Sequence, residues 1–457
     1  MHPIIAVSTP GGTGAIGIIR LSGEGCISLV SKYFIPFGKK EPIKHRYAYF
    51  GALGDENIVF DQVIITAFYG PSSYTGEDVV EISCHGNRII LEKIINHFLI
   101  NGVKPAEPGE FTRRSFLNGK MDLIQAESVE DIIMAENDNA LKAAQKLITG
   151  KLTDLINTLK KKLISIISEF EAEIEFPDEG DIIDSLNVNA KLRMERITDI
   201  RKIVQKLINS FDQGVILKEG FKVALFGSPN TGKSTLLNYL AGYERALVSA
   251  EPGTTRDYIT EKIYIHGMPL TFIDMAGIRE NPGKIEFEGI KHSKEILHTS
   301  NIGVFIIDGT KDISKDDYLA LESCPKSIDK IFVINKSDCN TKVDLNDSIF
   351  QDMKPLFISA KNGDGIEELL TRISKILSSL IKNSGDEIII THIRHNNALT
   401  RCDKILNDSI SEIENRVNTE LLVYTLREAL NELQILTGEV STDDILNEIF
   451  CNFCIGK

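Results

Sequence analysis

Gly227-Ser-Pro-Asn-Thr-Gly-Lys-Ser234 matches the pattern G-x-x-x-x-G-K-[ST], and its flanks decide how that pattern is read. Upstream, Lys222-Val-Ala-Leu-Phe226 is a short apolar run that reads as a buried strand. Downstream, Lys233 to Ala241 continues as a helix, so backbone N–H groups and the helix N-terminus face an anion. Gly227 and Gly232 let the backbone wrap phosphates with no Cβ in the way. Alone, this loop predicts only a triphosphate site.

Four more signals follow in fixed order and specify the base as guanine. Thr255 lies within Gly253-Thr-Thr-Arg-Asp257, and Asp274-Met-Ala-Gly277, Asn335-Lys-Ser-Asp338 and Ser359-Ala-Lys361 come after it. The predicted GTP contacts are Asn230, Thr231, Gly232, Lys233, Ser234 and Thr235 from the first loop, and Ser249, Thr254 and Thr255 from the next. Asp274, Met275, Ala276, Gly277, Asn335, Lys336, Asp338, Ser359 and Ala360 complete the set. Lys233 is expected to reach the β- and γ-phosphates. Ser234 and Thr255 are expected on Mg²⁺, with Asp274 holding the ion through water. The Gly277 N–H would meet the γ-phosphate and so report its presence. Asp338 can accept two hydrogen bonds from the guanine edge, which adenine does not offer.

The 457 residues exceed one core and suggest about three domains. Apolar content of 42% and charged content of 25% are ordinary globular values. No apolar run reaches membrane-spanning length, and Met1-His-Pro-Ile-Ile lacks the basic start of a signal peptide. Seven scattered cysteines point to a reducing cytoplasm and away from a disulfide framework. Cys451-Asn-Phe-Cys454 has metal-knuckle spacing, but no second Cys or His pair accompanies it, so zinc is not expected. A net charge of −14 argues against coating nucleic acid, so any RNA contact needs a local basic patch.

The expected architecture is multidomain. Residues 1–120 mix strand-like runs (Ile4 to Ser8, Gly17 to Leu21, Val63 to Phe68, Val79 to Ser83) with short helices near Ile27 to Phe34 and Arg88 to Leu99, reading as an α+β domain. Residues 121–217 carry helical stripes: Ile148, Leu152, Leu155, Leu159, Leu163, Ile166, Ile167 and Phe170, then Ile197, Ile200, Val204, Leu207 and Phe211. Phe176-Pro-Asp-Glu-Gly180 should break these into two long helices. The texture returns in residues 384–457 with Leu422, Leu426, Leu430, Leu433 and Leu436. This predicts one all-α domain interrupted by an inserted α/β P-loop GTPase domain at residues 218–383, with Lys382-Asn-Ser-Gly-Asp386 as a linker.

Together with Gly17-Ile-Ile-Arg20, Tyr74-Thr-Gly-Glu-Asp-Val-Val-Glu81, Pro108-Gly-Glu-Phe111, Phe116-Leu-Asn-Gly-Lys120, Phe176-Pro-Asp-Glu179 and the ending Phe453-Cys-Ile-Gly-Lys457, this layout resembles the bacterial MnmE (TrmE) family of tRNA modification GTPases. The resemblance implies a cytoplasmic homodimer joined through a folate-binding-like N-terminal domain. It also implies a heterotetramer with MnmG, in which FAD belongs to the partner only. The implied reaction adds an aminomethyl or carboxymethylaminomethyl group to carbon 5 of the wobble uridine of certain tRNAs. A 5-formyl- or methylene-tetrahydrofolate is the implied one-carbon source. Motif matching puts folate contacts on Arg20, Glu81, Lys120 and Lys457, types that suit a glutamate tail and a pterin amide edge. Cys454 reads either as a candidate nucleophile toward uridine, with Lys457 able to lower its pKa, or as a small buried residue beside the folate pocket.

Hydrolysis needs a source of transition-state charge. Ile278 stands where many GTPases place a water-orienting Gln, and no arginine finger is evident, although Arg256 and Arg279 flank the site. The resemblance implies potassium, held by the Asn230 side chain and by the loop containing Ser249, Glu251 and Thr254. A cation there would neutralise charge developing between the phosphates. By the same matching, Glu286 is the catalytic residue that orients the attacking water. Met275 replaces the usual threonine of Asp-Thr-Ala-Gly and should alter packing without abolishing activity. Two alternatives fit the same nucleotide motifs: a ribosome-assembly GTPase, and a non-enzymatic nucleotide switch.

Overall fold

A computed structural model describes residues 2–38, 41–55, 58–175, 183–243, 260–265, 268–275, 297–350, 354–380 and 387–457. The chain divides into two compact units. One comprises Met1–Met134, Lys142–Ile208 and Ile393–Lys457, and the other Ala135–Leu141 and Asn209–His392.

The first unit contains a sheet built from β1 (Ile4–Val7), β2 (Ile16–Ser22), β3 (Phe34–Pro36), β4 (Ala48–Asp55), β5 (Ile58–Phe68), β6 (Val79–His85) and β7 (Lys104–Pro105). Their spatial order is β3-β4-β5-β6-β2-β1-β7, antiparallel throughout except for β1 with β7. Alternating residues such as Ile19, Leu21, Ile65 and Ile82 turn to one face, where helices Cys26–Tyr33 and Arg88–Ile100 bury Val30, Ile94 and Phe98 against them. The sequence shows β1, β2, β5 and β6 but hides β4. Gly51 and Gly54 interrupt its apolar pattern, and they serve close packing. A Cβ at Gly51 would lie 2.3 Å from the Ile35 carbonyl oxygen, and one at Gly54 would lie 2.2 Å from that of Ile58.

The helical stripes bury as expected, with Leu159, Leu163, Phe170, Ile197, Ile200 and Val204 all inaccessible or nearly so. One detail differs. The first stripe is split, because helix Asp138–Ile148 ends before Gly150 at φ 83° and a new helix, Lys151–Glu175, follows. The second also divides, since Phe211 opens its own helix, Phe211–Glu219, after Ile183–Asn209. Helix Thr419–Thr437 packs on Ile393–Glu414 and on Lys151–Glu175, so distant segments share one helical core. Phe176-Pro-Asp-Glu-Gly180 and Lys382-Asn-Ser-Gly-Asp386 lie outside the described residues.

A buried ionic cluster locks that core. Glu127, on helix Leu123–Met134, accepts from Arg394 Nε at 2.8 Å and Nη2 at 2.9 Å, and its Oε2 lies 2.6 Å from His395 Nε2. Arg394 also donates to the carbonyls of Ile435 and Leu436, near the end of helix Thr419–Thr437. Burial alone would raise the Glu127 carboxyl, but the charges of His395 and Arg394 outweigh it and hold the group well below its ordinary value.

The second unit holds a sheet of β8 (Phe221–Phe226), β9 (Thr260–Ile265), β10 (Met268–Asp274), β11 (Ile302–Asp308), β12 (Asp329–Asn335) and β13 (Leu356–Phe357). The order is β13-β12-β11-β8-β10-β9, parallel except for β9 with β10. Along β8, Val223 and Leu225 join one apolar layer with Leu236, Leu240, Ile366 and Ile373, while Ala224 and Phe226 join another with Phe305, Ile334 and Phe350. Both faces are covered, which explains why these strands read as continuous apolar runs. The chain leaves β8 toward β10 on one side and β11 on the other, so the loop after β8 stands at the switch point of a doubly wound sheet.

Glu127→Ala strands Arg394 and His395 without their buried counter-charge and should destabilise the first unit by about 3–5 kcal/mol, read by urea unfolding. The pH sign follows from the depressed carboxyl. Its stabilisation is complete above the ordinary value of 4.5 and is lost as pH falls through the lower folded value. The parent should therefore lose stability on acidification more steeply than Glu127→Gln.

Candidate functional site

The carboxyl ends of the parallel strands converge on the loop after β8. Gly227 has φ 144°, and a Cβ there would stand 2.3 Å from the Ile306 carbonyl oxygen. Gly232 has φ 94°, and its Cβ would stand 2.2 Å from Asn335 Nδ2. Both glycines are thus required by conformation and by space. Helix Lys233–Tyr243 begins directly after them.

Asn335, at the end of β12, is almost fully buried and makes both of its amide ends count. Its Nδ2 donates to the Thr231 carbonyl at 2.8 Å, and its Oδ1 accepts from the Ala360 backbone N–H at 2.9 Å. One side chain thereby joins the three predicted loops. Lys336 adds a second tie, donating to the Asn230 carbonyl at 3.1 Å and to Asp308 Oδ2 at 2.7 Å. Asn230 and Lys336 both adopt positive φ, 64° and 67°.

Lys233 is buried, and its Nζ donates to the carbonyls of Gly227 at 3.1 Å and Ser228 at 2.9 Å. Burial pushes its ammonium pKa down, while Asp274 and Asp317 oppose the shift. Ser234 Oγ donates to Asp274 Oδ2, so the two groups expected around Mg²⁺ stand side by side. Thr235 is exposed on the first turn of the helix. Met275 is buried among Ala224, Phe226 and Phe305, and its N–H donates to the Leu225 carbonyl. Asp338 is exposed, with Oδ1 accepting from the buried Ser359 hydroxyl at 2.7 Å; that hydrogen bond holds the carboxyl below its ordinary value. The carboxylate is thus ionised and oriented for an edge that donates hydrogens.

Around these loops, Asp308 and Asp317 escaped the sequence reading. Asp308 ends β11 as Asp274 ends β10 and Asn335 ends β12, which was the available signal. Burial would raise its carboxyl, but hydrogen bonds from Lys336 and Thr310 bring it below the ordinary value. Asp317 accepts from Ser228 Oγ at 2.5 Å, fixing the start of the loop from a capped helix, Lys315–Glu322. Ser249, Glu251, Thr254, Thr255, Arg256, Ala276, Gly277, Ile278, Arg279 and Glu286 lie outside the described residues.

In the first unit, Arg20 on β2 faces Glu81 on β6 as a register pair. Its Nε and Nη2 both donate to Glu81 Oε1, at 3.1 and 2.8 Å, and its guanidinium stands 5.4 Å from the Tyr74 ring centre. The last residues of the chain return here. The Gly456 carbonyl accepts from Arg20 Nη1 at 3.4 Å and Ser8 Oγ at 3.2 Å, and the Phe111 N–H donates to the Lys457 carbonyl at 3.1 Å. Burial lowers the Lys457 ammonium, with Arg20 acting in the same direction and Glu81 and Cys454 opposing. Arg20, Glu81 and Lys457 are therefore brought together. Lys120 instead extends to the Pro71 carbonyl at 3.0 Å. Cys454 is exposed, which corrects the reading of it as a small buried residue.

The Tyr74-to-Glu81 stretch is held by an inner network. Ser22 Oγ lies 2.7 Å from Thr75 Oγ1 and donates to Glu77 Oε2, and Arg114 bridges Glu77 and Glu110 at 3.0 and 2.7 Å. Arg114, buried and missed from sequence, joins the Tyr74-to-Glu81 stretch to the Pro108-to-Phe111 stretch.

Comparison with known proteins places these features in one lineage. A family model described as the MnmE helical domain matches residues 123–454, and one described as the GTP-binding protein TrmE N-terminus matches residues 3–120. The tRNA modification GTPase MnmE of Carboxydothermus hydrogenoformans is 38% identical over 465 residues, covering 99% of each chain. That of Aquifex aeolicus is 38% identical over 458 residues and covers 100% of both. The Clostridioides difficile protein is 36% identical, again over 99% of each.

Gly232→Ala should cost about 1–3 kcal/mol through strain at positive φ, and it should also displace Asn335. GDP affinity by calorimetry should fall about tenfold or more. Asp338→Asn replaces one acceptor with a donor. Its preference for guanine over adenine nucleotides should drop by at least about 100-fold in a competition assay.

Proposed function

The chain belongs to the MnmE family of tRNA modification GTPases, and on that premise we propose that it hydrolyses GTP to drive modification of the wobble uridine of tRNA. The observation that carries this reading is the coincidence of a full-length family match with Asn335 joining the loops expected to hold phosphate and guanine. A ribosome-assembly GTPase would not share the N-terminal and helical segments that these relatives match end to end.

In this reading Lys233 leaves the Gly227 and Ser228 carbonyls to meet the β- and γ-phosphates, and loop N–H groups orient the chain of phosphates. The residues suit Mg²⁺: Ser234 Oγ and Asp274 Oδ2, two hard oxygen donors, already adjoin at the helix N-terminus. Bound Mg²⁺ would supply charge neutralisation on the β- and γ-oxygens. Asn230, whose backbone is fixed by Lys336, would contribute its side-chain oxygen to potassium, and Glu286 would orient water. Asp338 and Ser359 would read the guanine edge.

The cluster of Arg20, Glu81 and Lys457 supports a folate site. Two cations suit the glutamate tail, and the Glu81 carboxylate suits the pterin amide edge. Cys454, exposed three residues before Lys457, is a candidate nucleophile in the same segment. An apolar sheet face carrying exposed Ile35, Phe37, Phe50 and Ile64 supports homodimerisation through the N-terminal domain. The finer assignment includes MnmG as FAD-bearing partner, a tetrahydrofolate one-carbon donor, tRNA as substrate and a cytoplasmic setting. Among the described residues no helix is long and apolar enough to cross a membrane.

Nucleoside analysis of tRNA tests the proposal directly. Loss of the gene should remove the carbon-5 substituent of wobble uridine, and the intact gene should restore it; unchanged nucleosides would contradict it. Arg20→Ala should weaken reduced-folate binding at least about tenfold by calorimetry while sparing GTP turnover, because a charge-assisted contact is worth roughly 1.5–3 kcal/mol. Turnover should be faster in potassium than in sodium at equal ionic strength, with Asn230→Ala abolishing the difference. Equal rates in both salts would direct attention to Arg256 or Arg279.

A further inference from the structure

The seven cysteines fall into two chemical groups. Cys26, Cys84, Cys324 and Cys402 are buried, and Cys339, Cys451 and Cys454 are exposed. Burial pushes the thiols of Cys26 and Cys402 up to about 12 and that of Cys84 to about 11, which keeps them protonated and inert. The exposed group contains one close pair, Cys451 and Cys454, in a C-x-x-C spacing that no step above requires of Cys451.

The backbone prepares the two thiols to meet. Cys451 caps helix Asp443–Phe450 in helical conformation, φ −63° and ψ −22°, with its N–H bonded to the Asn447 carbonyl. The Phe453 N–H then bonds to the Phe450 carbonyl at 3.1 Å, so the chain keeps turning through the interval. Residues three apart in such a turn are neighbours with Cβ atoms about 5–6 Å from each other, and a small tightening of the turn brings them to the roughly 3.5–4.5 Å that a disulfide needs. Between them Phe453 is buried with its ring 5.2 Å from that of Phe450, which anchors the turn between two exposed cysteines. Cys451 Sγ now donates to the Glu448 carbonyl at 3.1 Å, a contact that closing the pair would exchange for the S–S bond.

We propose that Cys451 and Cys454 form a reversible intrachain disulfide that withdraws the Cys454 thiol from the segment carrying Gly456 and Lys457. The oxidant is a small-molecule disulfide, RSSR. The Cys454 thiolate attacks one of its sulfurs, and the first RS⁻ leaves. The Cys451 thiolate attacks Cys454 Sγ, and the second RS⁻ leaves. Overall the protein dithiol loses two protons and two electrons, and RSSR gains both as two RSH. In a reducing compartment such a pair is transient and acts as a redox-sensing site. The bond does not depend on a folate or uridine reaction. It changes only whether a thiol is present where the last residues meet Arg20 and Phe111.

Equilibration of the full-length protein with oxidised and reduced glutathione, followed by acid quenching, alkylation and peptide mass analysis, decides the matter. The peptide spanning residues 451–454 should lose the mass of two hydrogens, both cysteines should lose alkylation, and dithiothreitol should restore it. C451S should stop at a Cys454–glutathione mixed disulfide with GTP turnover unchanged, and C339S should close the 451–454 bond like the parent. A persistent mixed disulfide on Cys454 of the parent with Cys451 still alkylatable would overturn the proposal. So would oxidation that yields only Cys454-linked dimers.

Discussion

The nucleotide site depends on one buried amide. Asn335 can serve Thr231 and Ala360 together because an amide carries a donor and an acceptor on one rigid plane, and it sits at the end of a strand fully enclosed by two apolar layers. Burial makes both bonds matter, since an unmatched amide end inside the protein costs about 1–3 kcal/mol. The same side chain explains Gly232, whose missing Cβ leaves the space that Asn335 Nδ2 fills. The loops carrying Thr231 and Ala360 are therefore coupled by geometry through one side chain.

In the first unit the comparable constraint is the return of the chain's last residues to its first strands. Ser8 and Arg20 both donate to Gly456, a contact across 448 residues of sequence for Ser8. Gly456 has φ 98°, and a Cβ there would lie 2.3 Å from the Val7 carbonyl oxygen, so only glycine permits the approach. The helical core makes the return stable. Glu127, Arg394 and His395 join helices from widely separated segments, and Leu446, Phe450 and Phe453 pack on Leu123, Ala126 and Val129. The Cys451–Cys454 turn hangs from that same apolar anchor.

Much of this was legible because local pattern and chemistry coincided. The apolar run of β8, two glycines and a following helix declare a phosphate loop, and the helical stripes declare a bundle. What stayed hidden is what depends on partners distant in sequence. The need for Gly51 and Gly54 stayed hidden because their neighbours Ile35 and Ile58 enter only through strand pairing. Asp308 and Asp317 acquire meaning only beside Lys336 and Ser228. The pairing of Arg20 with Glu81 follows from the register of β2 on β6, which no spacing in the sequence encodes; family resemblance supplied those residues, and the strands supply the reason they meet.

The coupling through Asn335 is open to a direct measurement. Asn335→Asp keeps the acceptor facing the Ala360 N–H and replaces the donor to Thr231 with a like-signed oxygen, while Asn335→Ala removes both. Calorimetric titration with GDP should show affinity lower than the parent by at least about tenfold for Asn335→Asp, and a still larger loss for Asn335→Ala. GDP affinity equal to the parent in both variants, with folding intact, would contradict the account.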